Sequence, residues 1–190
     1  MNNSNCGCCS CGSGCCSAGN IQTETRQVIV DFLYLDLSVC EWCQGTEKNL
    51  EEAIASISNV LELAGIEVVL NKINVNTEEL AIKHKFVASP TIRVNGRDIQ
   101  MEVRERPCDS CGDLCGDEVD CRVWVYKGQE YTVPPIALIA EGLLKGIFGH
   151  EDISNEDADY VLPENLKKFY TAAKNKNQCC CGNTNNSYCC

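Results

Sequence analysis

The sequence predicts an α/β domain, and three observations carry the prediction. Residues 28–37 form an apolar, β-rich run of the kind that makes a buried strand. A helical pattern follows, and then a second β-rich run over 66–75. Strand, helix and strand in that order make a βαβ unit, whose two strands must lie parallel.

Each element has its own signal. Leu50, Ile54, Ile57, Leu61 and Ala64 recur at helical spacing and form one face, closed by Gly65 as a C-cap. Thr77 caps a short helix with Glu78 and Glu79 in its first turn, where the dipole favours acids. Ser89-Pro90 leads into a short strand over 91–94, which ends at the Asn95-Gly96 turn. A polar insert over 102–121 follows. Beyond it, residues 122–126 and 130–133 flank Lys127-Gly128 as a β-hairpin. Pro134-Pro135 opens a last core helix with Ile136, Ile139, Leu143 and Ile147 on one face. Pro163 starts a further amphipathic helix to about Lys174, expected at the periphery. The organisation is then a Cys-rich tail over 1–24, a domain over 25–150 with its insert, a peripheral helical extension over 151–176 and a second Cys-rich tail over 177–190.

Composition narrows the partners. The 190 residues carry 27 acids against 16 bases, a formal charge of −11. So acidic a surface repels phosphate backbones and anionic lipid, which argues against nucleic acid and membranes as partners. No run reaches the roughly 18 apolar residues of a membrane span. Residues 1–20 lack the basic start and apolar core of a signal peptide, so a cytoplasmic location is expected. In that reducing compartment, dense cysteine points to redox chemistry or metal thiolates before a disulfide framework. The total of 17 cysteines is odd and cannot pair completely within one chain.

Those cysteines fall into four groups. Cys6, Cys8, Cys9, Cys11, Cys15 and Cys16 stand near the start; Cys179, Cys180, Cys181, Cys189 and Cys190 close the chain. Both groups sit among Asn, Ser and Gly, a composition too poor in aliphatic residues to offset chain ordering, so disordered tails are expected. They are either traps for soft metals such as mercury, copper(I) or arsenite, or low-complexity sequence with no fixed ligand set.

Cys40-Glu41-Trp42-Cys43 stands where a strand hands over to a helix. There the unpaired N–H groups and the positive end of the dipole stabilise a thiolate, the form that attacks a disulfide or binds a soft metal. The spacing lets Cys43 resolve a mixed disulfide formed at Cys40. Glu41 is expected to oppose the acidity of Cys40, and Trp42 to shield the pair or hold a partner. The bland reading is two incidental cysteines on a turn, but the βαβ setting is the context the motif requires. Thioredoxin-like folds place a cis-proline opposite such a pair, and Pro90 occupies that place in the order of elements; cis is therefore expected over an ordinary trans turn.

The insert supplies Cys108, Cys111, Cys115 and Cys121, with glycine after Cys111 and Cys115. A C-x-x-C-G knuckle is a common source of two zinc ligands, and four thiolates satisfy the tetrahedron. The spacing departs from iron–sulfur runs. Asp109, Asp113, Asp117, Glu118 and Asp120 would leave the loop strongly anionic unless a cation or disulfides neutralise it. Metal binding, with zinc as the cofactor, is the first reading; one or two disulfides, or free thiols, are the alternatives. His84 and His150 lie outside any motif and read as solvated. No phosphate-binding glycine loop, G-x-S-x-G or H-E-x-x-H is present.

Residues 35–46 (Leu-Asp-Leu-Ser-Val-Cys-Glu-Trp-Cys-Gln-Gly-Thr), 89–96 (Ser-Pro-Thr-Ile-Arg-Val-Asn-Gly), 108–115 and 120–126 (Asp-Cys-Arg-Val-Trp-Val-Tyr) together resemble the prokaryotic thioredoxin-like (seleno)proteins called SaoT. These belong to a wider thioredoxin-like family of unknown function, and the similarity spans about residues 27–149. The resemblance implies a thioredoxin-like fold, a redox-type pair at Cys40 and Cys43, and association with systems handling organic mercury or related soft metals, where some relatives use selenocysteine. The sequence departs from thioredoxins proper at Glu41-Trp42, in carrying the insert, and at Tyr34, where they have a carboxylate.

Three hypotheses follow. In the first, the protein exchanges thiols with disulfides or metals: Cys40 attacks, Cys43 resolves and Pro90 holds the edge against which a partner protein, small thiol or disulfide, or soft-metal species docks. The second is a non-catalytic carrier that holds metal on its thiolates. A zinc-stapled interaction domain is the third.

Overall fold

The computed structural model describes residues 25–115, 119–149 and 160–179. The chain enters through β1 (Arg26–Tyr34), turns into α1 (Glu41–Leu63) and returns as β2 (Ile66–Asn74). β1 and β2 pair in parallel from Arg26 opposite Ile66 to Tyr34 opposite Asn74, as a βαβ unit requires. Next come α2 (Glu78–Lys83), β3 (Thr91–Val94) and the two-residue β4 (Arg97–Asp98). β3 runs antiparallel to both β1 and β4, giving the sheet order β2-β1-β3-β4. The insert folds as β5 (Arg104–Pro107) and α3 (Asp109–Cys115), and β6 (Asp120–Tyr126) and β7 (Gln129–Tyr131) form the hairpin. β5, β6 and β7 make a second, antiparallel sheet. α4 (Ile136–Phe148) and α5 (Glu164–Cys179) complete the chain, an α/β thioredoxin-like arrangement.

The strand period explains the two layers. Val28, Val30 and Phe32 alternate on one face of β1 and are fully buried against α1 and α4. α1 contributes Leu50, Ala53, Ile57 and Leu61; α4 contributes Leu138, Ile139, Leu143 and Ile147. Each fully buried aliphatic side chain among them is worth about 1.5–3 kcal/mol. The other face of β1 is half-open at Ile29 and Asp31 but closes at Leu33, toward the strand's C-terminal end. A second core gathers there: Leu33, Leu35, Val75, Ala81 and Phe86 meet the cysteines and α5.

Two helix signals read as expected. Thr77 caps α2 by accepting the Leu80 N–H at 3.3 Å, and α1 ends at Ala64 with Gly65 at φ +69°, the left-handed turn that glycine tolerates. α5 differs from expectation. Instead of lying at the periphery, it buries Leu166, Phe169 and Tyr170, with Leu162 just before it, against the cysteine-bearing core. The short β4 and β5 were not foreseen; β4 has two residues and β5 is Arg-Glu-Arg-Pro, with no apolar alternation to signal a strand. The predicted tails lie outside the described residues, save that α5 runs on to Cys179, and residues 151–159 of the predicted helical extension lie outside them too.

Candidate metal centre and its adjoining thiol pair

The turn from β1 to α1 is built around Asp36. Its Oδ1 accepts from the Ser38 N–H at 2.5 Å, the Ser38 hydroxyl at 2.6 Å and the Val39 N–H at 3.2 Å. Short polar side chains favour such local turns because they supply the backbone's missing partner. Gln44 ties the turn from the helix side by donating to the Leu37 carbonyl at 2.8 Å. Cys40 is thereby left as N-cap, in extended conformation at φ −81°, ψ 102°. Its Sγ accepts the Cys43 N–H at 3.4 Å, the capping role usually filled by Ser, Thr, Asp or Asn. The sulfur thus sits at the positive end of α1, where a thiolate is favoured.

The Cys43 sulfur meets the loop before β3. It lies 3.4 Å from the Ser89 hydroxyl. That oxygen already accepts the Leu35 N–H at 3.1 Å, so its proton is free to be donated to the sulfur. The Ser89–Pro90 bond is cis, as the order of elements led us to expect, and Pro90 is buried at the entrance to β3.

The insert delivers its cysteines to the same place. The Cys108 N–H bonds the Val119 carbonyl at 2.9 Å, and the Cys108 carbonyl accepts from Cys111 at 3.1 Å and Gly112 at 2.9 Å. This tight turn brings the two sulfurs of the C-x-x-C-G knuckle to one side. Cys121 arrives from β6, opposite Arg106 on β5. The sulfurs of Cys40, Cys108, Cys111 and Cys121 all lie within 4.8 Å of one another, and all four residues are buried. The sulfurs of Cys111 and Cys121 are 3.3 Å apart.

Among the described residues, the clustered sulfurs are not confined to the insert. Cys108, Cys111 and Cys121 are brought together, but the fourth sulfur is that of Cys40. Cys115 ends α3, and its side chain is outside those described. Cys43 stays beside the group, and His84 is not a member of it; its backbone carbonyl accepts from Arg93 at 2.6 Å. Nothing local marks Cys40 as a partner of the insert, because the contact spans 68 residues or more.

Two further residues, both missed by sequence reasoning, hold the site in place. Asn165 of α5 accepts the Asp120 N–H at 3.0 Å and donates to the Asp120 carbonyl at 2.7 Å and to Glu105 at 2.9 Å. It therefore fixes β6 one residue before Cys121. Arg122, one residue after, is wholly buried. It pairs with Asp98 at 2.6 and 3.1 Å, bonds Thr91 Oγ1 at 3.1 Å and the Gln100 carbonyl, and lies 4.4 Å from the Trp124 ring centroid. Its N–H donates to the Ser89 carbonyl at 2.7 Å, which ties β6 to the Ser89–Pro90 loop.

Electrostatics divide the five sulfurs into acceptors and donors. The thiols of Cys108, Cys111, Cys121 and Cys43, in that order of effect, hold Cys40 well below the ordinary thiol range despite burial. Glu41, expected to oppose this, is not among the main influences. Cys108 is lowered likewise, chiefly by Cys111 and then Cys121. Cys43 is pushed up, first by its bond to Cys40 and then by burial. Cys111 is raised chiefly by Cys108, and Cys121 by Cys108, Cys111 and Cys40.

The donor set suits a borderline or soft cation. Zinc bound at about 2.3 Å by four thiolates needs sulfurs roughly 3.8 Å apart, and this cluster is already at that scale. Among the described residues, no oxygen or nitrogen ligand belongs to the group, which disfavours magnesium, calcium or manganese. A dication would also neutralise the buried thiolates.

The family model described as "Domain of unknown function (DUF2703)" covers residues 28–142. No curated protein and no solved structure matches. Among the described residues, no helix is long and apolar enough to cross a membrane.

Proposed function

We propose a function for a chain that belongs to the DUF2703 family, a domain of unknown function: it performs thiol–metal exchange at a four-thiolate centre made by Cys40, Cys108, Cys111 and Cys121. One observation carries this reading, the convergence of those four buried sulfurs from three separate segments. The metal is cargo of the zinc, cadmium or mercury class, in keeping with an all-sulfur donor set. The resemblance to SaoT proteins supports the softer end of that range. Three sulfurs ride on the insert and β6, and Cys40 rides on the N-terminus of α1. We assign as partners a thiol-bearing protein or small thiol that gives or takes the metal, in the cytoplasm, with no role for nucleic acid or membrane.

The test is metal stoichiometry of anaerobically purified full-length protein. Cys40→Ser, Cys108→Ser and Cys121→Ser should each lose the same single equivalent of tightly bound Zn²⁺ or Hg²⁺ relative to wild type. Equal stoichiometry in wild type and all three variants overturns the reading.

A second reading, thiol–disulfide exchange, is favoured by Cys40 capping α1 with Cys43 at its back. Here Cys40 attacks, Cys43 resolves, and Pro90 shapes the edge that receives the partner. Cys40→Ser should then abolish reduction of a small disulfide, and an unchanged rate removes this alternative.

A further inference from the structure

Cys40 is a member of two groups at once. Its sulfur belongs to the four-thiolate set, yet it also accepts the N–H of Cys43, the other cysteine of the C-x-x-C pair, at 3.4 Å. A sulfur cannot hold a metal tightly and be half of a disulfide. Cys43 is excluded from the ligand set by position, because it faces Ser89. We infer that the protein is a redox-gated metal site: forming the Cys40–Cys43 disulfide withdraws one of four ligands and releases the metal, and reducing that disulfide rebuilds the site. The inference rests on the four-thiolate reading above.

The reaction needs a small two-electron oxidant, because both cysteines are buried. A peroxide fits. The Cys40 thiolate attacks a peroxide oxygen, the O–O bond breaks, and Cys40 becomes a sulfenic acid as one water leaves with a proton from solvent. The Cys43 sulfur then attacks the Cys40 sulfur, the S–O bond breaks, and the thiol proton leaves with the hydroxyl as a second water. Two thiols have lost two electrons and the peroxide has gained them. Ser89 is placed to steady Cys43 as its proton departs. Cys108, Cys111 and Cys121 remain, a three-sulfur site that should hold zinc on the order of 100-fold more weakly.

The experiment uses full-length protein loaded with Zn²⁺ and titrated with hydrogen peroxide. Released zinc is read with a chromogenic chelator, and disulfides are mapped by mass spectrometry of digests. Cys108→Ser serves as a control for zinc held elsewhere on the chain. Zinc should leave in step with the Cys40–Cys43 disulfide, Cys43→Ser should slow release about tenfold or more, and a dithiol reductant should restore binding. The inference is overturned if the disulfide forms while zinc stays, or if Cys43→Ser releases zinc at the wild-type rate. One measurement needs no variant: wild-type protein oxidised before loading should fail to take up the equivalent that reduced protein takes. If wild type and Cys108→Ser bind equal zinc from the start, the four-thiolate reading itself has failed, and the two failures are told apart.

Discussion

Ser89 serves two neighbours with one hydroxyl, accepting from the Leu35 backbone and facing the Cys43 sulfur. Ser89→Ala strands a buried N–H, which costs about 1–3 kcal/mol. It also takes away the bond that lowers the Cys43 thiol pKa. Urea denaturation should therefore show reduced stability, and alkylation of Cys43 against pH should shift to higher pH; a shift to lower pH would contradict the assignment. Glu105 offers a pH-dependent case. Burial raises its carboxyl above the usual range, only partly offset by Asn165. A raised folded-state value means stability is present while the group is protonated and is lost as pH rises through the carboxylate range. Glu105→Gln keeps an acceptor for Asn165 and has no charge to bury. It should match wild type below about pH 4 and exceed it at pH 7 by up to about 1 kcal/mol, read from denaturation midpoints at both pH values.

At the scale of elements, legibility followed the range of the interactions. α1, α2 and β3 were readable because their signals are local: Leu50, Ile57 and Leu61 at helical spacing, a threonine cap, a proline-to-Asn-Gly bracket. The parallel pairing of β1 and β2 followed from connectivity. α5 was underestimated because its Leu166, Phe169 and Tyr170 stripe resembles that of any surface helix, and its destination depends on an insert folded elsewhere. The clustering of Cys40 with the insert cysteines was hidden for the same reason. The sequence grouped Cys40 with Cys43 and Cys108 with Cys115 by proximity along the chain, whereas three-dimensional proximity pairs Cys40 with the insert. Arg122 gave no warning either, since a lone arginine in an apolar strand reveals its partners Asp98 and Thr91 only once β6 is docked. Two element-scale consequences can be measured. Asn165→Ala removes all three bonds that clamp β6 to α5 and should lower stability by about 2 kcal/mol while weakening zinc retention. Gly45→Ala would place a methyl 2.6 Å from Val133 in the first turn of α1, an overpacking cost of about 1–3 kcal/mol visible in the thermal midpoint.

For the molecule as a whole, the thiolate centre replaces a core that aliphatic residues would otherwise have to build. On one face of the sheet, α1 and α4 pack through a cluster of buried apolar side chains. On the other, the C-terminal end of β1, the insert and α5 meet around sulfur, and Leu162, Leu166, Phe169 and Tyr170 close over it. Segments distant in the chain are thus joined at one point, so a cation there acts as a cross-link on long loops. Metal that binds the folded chain and not the unfolded one stabilises by mass action, about 2.7 kcal/mol at a free concentration 100 times Kd and about 4.1 at 1,000 times. Binding to thiols of the unfolded chain subtracts from that gain. The thermal midpoint of wild type should therefore rise with free Zn²⁺, and a strong chelator should return it to the metal-free value. Cys121→Ser should lose most of the dependence, because it removes a ligand while leaving α1 and α4 packed as before. Calorimetry across a zinc series checks this: a midpoint independent of zinc in wild type, or equally dependent in Cys121→Ser, would mean that the two halves of the fold are joined without the metal.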